Sequence, residues 1–246
     1  QLYKLTYLLF GIYFTFPANL LIYGINDIFD YETDKLNEKK TDYETLVAPE
    51  RRTKLWTAIL LANIAFAGIL LLGNWPAVIA GIAFLFFSIF YSAPPIRAKT
   101  RPFLDSGFNI LYVLPGVFAY SLVTGLFPPA SLVIAAGCWT AAMHAYSAIP
   151  DIDADKAAGL KTIATVCGPY FTLAICAALY ATAGIIAAEY LGIAGVTIGF
   201  AYVLLMLASA RSVKTGTLFK LYRSFPLINV AAGFVIFWNI ALDKLL

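Results

Sequence analysis

Charged residues are scarce in this sequence: Asp, Glu, Lys and Arg make up 13% of the 246 residues, whereas 61% are hydrophobic. There is one His, and the three Cys lie inside apolar runs without a CxxC spacing. These absences exclude a disulfide framework and a thiolate metal site, and the mean hydropathy of +0.80 excludes a soluble domain. The composition predicts a polytopic membrane protein, and with a net charge of only +3 we expect no nucleic-acid partner.

Long apolar runs are abundant instead. Eight of them reach the length of about 20 residues that a helix needs to cross a bilayer. The predicted spans are 5–25, 55–74, 76–93, 103–123, 127–149, 162–187, 190–209 and 222–243. The sequence therefore predicts an all-α, polytopic transmembrane helical bundle. No linker or low-complexity tract divides the chain, so residues 1–246 are expected to form a single membrane-embedded domain.

The basic residues are distributed unevenly among the connections. Of the 17 Lys and Arg, 15 lie in the connections after the first, third, fifth and seventh spans or, in the case of Arg223, at the edge of the last span, and only Lys4 and Lys244 lie elsewhere. Under the positive-inside rule these charged loops face the cytoplasm. We therefore expect a multi-pass protein of the plasma membrane with its charged loops on the cytoplasmic side.

Two acidic clusters end the first and fifth spans, on the side predicted to be cytoplasmic. Their spacings of i, i+3, i+7 and of i, i+4 place each set on one helical face, whereas Asp153 faces away. Stacked carboxylates near lipid need a neutralising cation, and oxygen ligands without Cys or His suit Mg²⁺. The predicted metal ligands and catalytic residues are Asp27, Asp30, Asp34, Asp151 and Asp155. The clusters predict a Mg²⁺–diphosphate site.

Basic residues near these clusters are candidates for binding the diphosphate. A turn stiffened by two prolines follows the third span and carries Tyr91, Arg97 and Lys99. Lys161 follows Asp155 by six residues, which confines it near the second cluster. Guanidinium and ammonium groups bind phosphate oxygens well, although ordinary positive-inside anchors are the alternative interpretation.

Polar residues inside the spans continue the acidic faces toward the membrane interior. The stripes comprise Asn19 and Tyr23, His144 and Ser147, and, on the fourth span, Asp105, Asn109 and Tyr112; all of these except Asp105 are the predicted pocket residues. Inward-facing polar groups either line a cavity or form hydrogen bonds between helices, so we predict an acceptor pocket and keep the second interpretation open. His144 lacks a second soft ligand nearby, which favours cavity lining over metal ligation.

The motifs resemble those of the UbiA superfamily of intramembrane prenyltransferases. Asn26, Asp27, Asp30 and Asp34 match its NDxxDxxxD pattern. The second cluster matches its DxxxD pattern, followed by Gly-x-Lys-Thr at 159–162, and the turn at 91–99 resembles its Tyr/Lys loop with a different spacing. Within the superfamily, segments 17–27, 91–95, 101–106 and 143–152 are most similar to the lycopene elongase/hydratase type of carotenoid prenyltransferase.

This resemblance implies a fold, an activity and a set of substrates. The family has nine helices and carries its first motif at the end of the second, so the resemblance implies a further helix ahead of the first predicted span. The implied reaction is Mg²⁺-dependent transfer of a prenyl group from an allylic prenyl diphosphate, dimethylallyl diphosphate, to a lipophilic acceptor such as the end of lycopene. Asn26 would join the diphosphate-binding residues, and membrane lipid would surround the bundle.

Other functions stay open at this point. A quinone precursor, a glycerol-lipid or a tetrapyrrole could be the prenyl acceptor. A cation transporter also places carboxylates in a membrane bundle, but its sites are usually near the midplane with interrupted helices. A CDP-alcohol phosphotransferase packs its Asp residues with Gly and an Ala-Arg pair into one run, and no such run surrounds Asp27 or Asp151. The oligomeric state cannot be predicted.

Overall fold

The computed structural model describes residues 2–35, 47–70 and 73–245, and these residues form helices, turns and loops without a strand. The α-helices are α1 (Leu2–Thr15), α2 (Pro17–Asp34), α3 (Arg52–Leu70), α4 (Trp75–Ser92), α5 (Leu104–Gly107), α6 (Leu114–Thr124), α7 (Ala130–Ser147), α8 (Ile152–Ala157), α9 (Ile163–Leu191), α10 (Ile193–Lys214), α11 (Leu218–Tyr222) and α12 (Phe225–Leu245). Short 3-10 helices cover Pro49–Arg51, Ala98–Thr100 and Phe108–Tyr112. The all-α prediction is confirmed.

Six helical segments are long and apolar enough to cross a membrane, by length and composition, within the described residues. They are Leu5–Tyr31, Trp75–Ser92, Leu104–Thr124, Ile163–Leu191, Ile193–Lys214 and Leu218–Leu242. The predicted spans 55–74 and 127–149 are helical over most of their length as α3 and α7, but they are not among the six. A helical membrane protein is therefore confirmed, and the count of eight spans stays a prediction.

The chain divides into two compact units, so the single domain over 1–246 also stays a prediction. Unit 1 comprises Gln1–Thr100 and Leu111–Pro128, and unit 2 comprises Arg101–Ile110 and Pro129–Leu246. The predicted span 103–123 is divided between them. It is not one continuous helix but α5, a 3-10 helix and α6.

Aromatic side chains form the core of unit 1. Tyr13 of α1 stacks on Phe66 of α3 with ring centroids 3.5 Å apart, and Phe10 and Phe118 meet edge to face at 4.6 Å. The first predicted span is broken between α1 and α2 because Pro17 has no N–H to continue the hydrogen-bond ladder. Asn63 of α3 binds this break, with its amide donating to the Pro17 carbonyl at 3.3 Å. The break therefore fixes where α2 starts.

Tyrosines and glycines organise the core of unit 2. Tyr180 of α9 stacks on Tyr202 of α10 with centroids 4.5 Å apart. Beyond this pair α9 and α10 approach closely at Gly184 and Gly199, where a Cβ on Gly184 would lie 2.7 Å from the Cα of Gly199. Only glycine permits this approach, which keeps the two long helices in register.

Candidate active site

The first acidic motif lies on the last turns of α2, which continues without a break to Asp34. Asp27 is half-buried, whereas Asp30 is 0% exposed. The Asp34 side chain lies outside the described part of the structure. A fully buried carboxylate is costly unless cations and hydrogen bonds compensate its charge, so the groups that surround Asp30 are decisive for the first motif.

Two cations from the turn after α4 surround Asp30. The Lys99 ammonium forms a close ion pair with Asp30 Oδ2 and donates to Asn26 Oδ1 at 3.1 Å. The Arg97 guanidinium lies 3.5 Å from Asp30 Oδ1 and donates to the Phe29 carbonyl at 3.2 Å. Four of the residues predicted from the sequence, namely Asn26, Asp30, Arg97 and Lys99, therefore form one cluster within unit 1.

The backbone of the turn positions these two cations. Arg97 adopts a positive φ of 45° while its N–H donates to the Ala93 carbonyl at 3.0 Å. The 3-10 helix that follows carries Lys99, and the Thr100 hydroxyl donates to the Arg97 carbonyl at 3.0 Å. Left-handed backbone is uncommon for arginine and is typical of functional loops. Tyr91, at the end of α4, is half-buried, and its contact with a diphosphate stays a prediction.

The Arg97 side chain keeps an unused donor. Its Nε is buried and has no hydrogen-bond partner among the described residues, although its other nitrogen binds the Phe29 carbonyl and Asp30. Buried donors are almost always paired, so an orphaned one indicates a missing partner. A phosphate oxygen is a suitable partner for a guanidinium N–H.

The second acidic motif lies in the turn between α7 and α9, within unit 2. Asp151 precedes the short helix α8, and its carbonyl accepts the Asp155 N–H at 2.8 Å. Asp151 and Asp155 are half-buried, whereas Asp153 is exposed. Asp155 Oδ2 accepts a long hydrogen bond of 3.4 Å from the Thr162 hydroxyl. Lys161, predicted to bind diphosphate, is exposed beside Thr162.

The start of α9 is held by Asp105, which belongs to a polar stripe of the sequence but is not among the predicted site residues. Asp105 is 0% exposed, and its Oδ2 accepts the Ile163 N–H at 2.7 Å while its Oδ1 accepts the Ser106 N–H at 2.9 Å. Thr162, which also contacts Asp155, caps the same helix through its side chain. The sequence indicates such a role only through the presence of an Asp at the start of an apolar span, where a carboxylate is costly without a partner.

The six predicted pocket residues divide between the units. Asn19 and Tyr23 of unit 1 are exposed, and the Asn19 amide donates to the Thr15 carbonyl at 2.8 Å. Tyr23 is within hydrogen-bonding reach of Tyr112, a pairing that the sequence did not predict.

In unit 2 the remaining three residues differ in environment. Asn109 is buried and donates to the Asp105 carbonyl at 2.6 Å, which is a hydrogen bond within its own turn. His144 and Ser147 are half-buried, with the Ser147 hydroxyl donating to the His144 carbonyl at 2.7 Å. That all six line an acceptor pocket stays a prediction.

The donor atoms of both motifs suit a hard cation. Among residues whose side chains are described, no group of three or more His, Cys, Asp or Glu is gathered as a metal cluster. Mg²⁺ is nevertheless often bound through one or two carboxylates, with water and phosphate oxygens completing six ligands. A pair such as Asp27 and Asp30, or Asp151 and Asp155, therefore fits Mg²⁺ chemistry together with a diphosphate.

Comparison with known proteins identifies the family. The sequence model of the UbiA prenyltransferase family matches residues 2–241. The chain belongs to this family. Membership assigns it to the enzymes that transfer prenyl groups, and the resemblance stated from its motifs is confirmed.

Several of the similar curated proteins are lycopene elongase/hydratases. The lycopene elongase/hydratase of Haloarcula japonica is 44% identical over 67% of this chain and 56% of that protein. The lycopene elongase/hydratase of Haloferax volcanii is 39% identical over 91% of this chain and 73% of that protein. The UbiA member is thus similar to lycopene elongase/hydratases over most of its length.

A solved structure shares the fold. The structure of a UbiA homolog from Archaeoglobus fulgidus bound to GPP and Mg²⁺ superposes with a TM-score of 0.71 at 21% identity, covering 98% of this chain and 88% of that one. At this identity the likeness establishes the fold alone. It confirms the helical membrane architecture of the UbiA member.

Proposed function

We propose that this UbiA member transfers a prenyl group from dimethylallyl diphosphate to the end of an acyclic carotenoid such as lycopene. The observation that carries the proposal is the cluster of Asn26, Asp30, Arg97 and Lys99, which offers two cations and a spare guanidinium donor beside an acidic motif. The carotenoid acceptor is supported by the similar lycopene elongase/hydratases. The C5 donor is supported by a fold relative bound to DMAPP and Mg²⁺.

Diphosphate binding follows from the charges of the cluster. Lys99 and Arg97 together carry two positive charges, of which the Asp30 carboxylate balances one. Arg97 has five N–H donors and Lys99 three, more than Asp30 can accept, so phosphate oxygens can bind to the remainder. Arg97 Nε is a buried donor without a hydrogen-bond partner among the described residues, so a bond to a phosphate oxygen would remove the cost of leaving it unpaired. As negative charge builds on the leaving diphosphate, these prepositioned cations stabilise it.

The proposed metal ligands are the five carboxylates of the two motifs, with Asp34 included from its sequence position alone. They are Asp27, Asp30, Asp34, Asp151 and Asp155. When bound, Mg²⁺ would neutralise charge on the diphosphate and make it a better leaving group. Asp30 would be one of the residues that hold the metal, and the Lys99 ammonium beside it would donate to a phosphate oxygen. Lys161, at the second motif, adds a further cation from an exposed position.

The reaction breaks the allylic C–O bond and forms a C–C bond to the acceptor double bond. The diphosphate leaves with the electron pair of the C–O bond, and the resulting cation on the acceptor loses a proton or adds water. Tyrosine rings such as Tyr23 and Tyr112 can stabilise an adjacent cation through their faces. His144 and Ser147, on the helix that leads to Asp151, are candidates to accept the proton or to hold the water.

The experiment that tests this function uses the purified protein in nanodiscs with Mg²⁺. Labelled prenyl diphosphates of increasing length are offered with lycopene, with a quinone precursor or with a glycerol-lipid, and the products are separated by chromatography. We expect transfer of the C5 group to lycopene. Transfer only to a quinone precursor or a glycerol-lipid would keep the reaction and overturn the acceptor, and no transfer to any acceptor would overturn the function.

We also propose that the enzyme lies in the plasma membrane with both motifs facing the cytoplasm. The asymmetry of the basic residues supports this orientation. A single Cys at the exposed position of Lys161, in a background without the native Cys, should react with an impermeant maleimide in inside-out vesicles only. Labelling in right-side-out vesicles would reverse the orientation.

A further inference from the structure

Unit 2 contains an apolar cavity that the proposed chemistry does not use. It is partly open, has a volume of about 570 Å³ and is lined by residues of α7, α9, α10 and α12. Its walls include Trp139, Tyr180, Tyr202 and Ile236, and the Tyr202 hydroxyl is satisfied by Asn229 Oδ1 at 2.7 Å. The cavity therefore presents mostly hydrocarbon and ring surface, and the Tyr180 hydroxyl is a buried polar group of its lining that has no hydrogen-bond partner among the described residues.

Small residues create this space. Where α9 and α10 touch at Gly184 and Gly199, no side chain extends into the cavity. Gly233 of α12 also lines the cavity, and a Cβ placed there would meet no atom within 4 Å. The cavity also borders Ala183 of α9. The sequence thus leaves room at positions where larger apolar residues would be expected to fill a core.

The size and chemistry of the cavity indicate its ligand class. Close-packed interiors hold few voids larger than a water molecule, so a space of about 570 Å³ is well beyond a packing defect. Water is a poor occupant because a buried water needs two to four polar partners. The volume lies within the range of small-molecule sites, about 300–1,000 Å³. A linear hydrocarbon chain fits these constraints.

The distance between the cavity and the second acidic motif indicates whether the bound hydrocarbon belongs to the prenyl donor or to the acceptor. On α7 the cavity-lining residues run from Leu132 to Trp139, which precede Asp151 by 19 and 12 residues. At about 1.5 Å per residue this is roughly 18–28 Å along the helix. A C5 donor held at the acidic motif is too short to reach the cavity. A long acceptor whose end reacts there can reach it.

We propose that this cavity binds the distal part of a long acyclic isoprenoid acceptor and so selects acceptors by length. The proposal rests on the proposed function, since it assumes that the acceptor end reacts at the acidic motifs. It adds a second place of contact, whose lining residues are not among those of the polar stripes predicted from the sequence. Binding would come from burial of apolar surface on the Tyr180–Tyr202 wall.

The test fills the cavity from one side and compares two acceptor lengths. Gly233→Phe places a ring where the structure has open space, and Ala183→Leu enlarges a side chain of the cavity lining on α9. Gly68→Phe is the matched control, because Gly68 of α3 also has open space at its Cβ but lies in unit 1. Lycopene and a truncated acceptor with the same end group serve as substrates.

We expect Gly233→Phe to lower kcat/KM for lycopene by about tenfold or more, since displacing even a few methylenes removes that much affinity. The truncated acceptor should keep its rate, and Gly68→Phe should leave both unchanged. An equal rate with lycopene in a folded Gly233→Phe variant would overturn the proposal. If that variant does not fold, Ala183→Leu gives the same comparison.

A binding measurement separates this proposal from the proposed function. The amount of lycopene that stays bound to the wild-type protein after purification is measured by its absorbance, and this measurement requires no prenyl transfer. Retention by wild type and loss in Gly233→Phe would support the cavity even if no prenyl transfer occurred. Retention of a phospholipid that lycopene does not displace would overturn the proposal and assign the cavity to bilayer lipid.

Discussion

The contact between Lys99 and Asp30 can be tested by replacing the lysine with a neutral side chain of similar length, Lys99→Met. Asp30 is 0% exposed and the Lys99 side chain is 15% exposed, so the pair is largely removed from solvent. Removing one partner of a buried pair leaves an uncompensated charge, at a cost of about 3–5 kcal/mol. Arg97 at 3.5 Å from Asp30 still compensates part of this charge, so we expect a loss of about 3 kcal/mol.

The loss is measured as a shift in thermal unfolding in detergent. For chains of this length each kcal/mol lowers the Tm by about 2–4 °C, so Lys99→Met should unfold roughly 6–12 °C below wild type. Lys54→Met is the matched control because Lys54 is exposed, and its Tm should stay close to that of wild type. Binding of labelled dimethylallyl diphosphate should weaken in Lys99→Met and not in Lys54→Met.

A double mutant isolates the pair. Adding Asp30→Asn to Lys99→Met removes the uncompensated charge, so the double mutant should recover most of the lost stability and show a coupling energy of about 2–3 kcal/mol. The double mutant should have no turnover, because Asp30→Asn removes a proposed metal ligand. A Lys99→Met variant with unchanged Tm, or effects that simply add in the double mutant, would refute the account of Asp30 as a buried and compensated carboxylate.

Three further predictions concern unit 2. Asp151→Asn and Asp155→Asn should each abolish prenyl transfer with an unchanged circular dichroism spectrum, while Asp153→Asn, at an exposed position, should retain most activity. Equal losses at all three positions would contradict the assignment of Asp151 and Asp155 to one helical face and of Asp153 to the other. Asp105→Asn weakens the charged hydrogen bond from the Ile163 N–H, so it should lower the free energy of unfolding by about 1.5–3 kcal/mol and raise the KM for the prenyl diphosphate. A variant with the stability and KM of wild type would show that Asp105 does not position the start of α9. His144→Phe should keep donor binding and change the ratio of hydrated to dehydrated product by chromatography, whereas an unchanged ratio would leave His144 a packing residue.

Much of the helical framework could be predicted because it depends on local patterns. Apolar runs of bilayer length predicted the long helices, and the i, i+3, i+7 spacing placed the first motif on a helical face. The break at Pro17 and the division of the span 103–123 were not predicted, although proline and a lone Asp105 were visible in the sequence. Hydropathy averages over a window and therefore passes over single residues that end a helix.

The contacts of the site depend on residues far apart in the chain, which local patterns do not reveal. Lys99 and Asp30 are 69 residues apart, and Ile163 and Asp105 are 58 residues apart. Arg97 and Lys99 were predicted as phosphate ligands from their charge, but their contact with Asp30 required the tertiary structure. The cavity of unit 2 was equally hidden, because glycine and alanine in apolar helices indicate close packing as readily as open space.

The proposed function requires the acidic motifs, together with Arg97 and Lys99, to hold a prenyl diphosphate for transfer to a carotenoid. Its most direct test measures diphosphate release and prenylated lycopene in the same reaction, with Mg²⁺ present, after chelation and after Mg²⁺ is restored. The account predicts equal amounts of the two products, lost on chelation and recovered with Mg²⁺. Transfer that continues without a divalent cation, or diphosphate release with no prenylated acceptor, would contradict it.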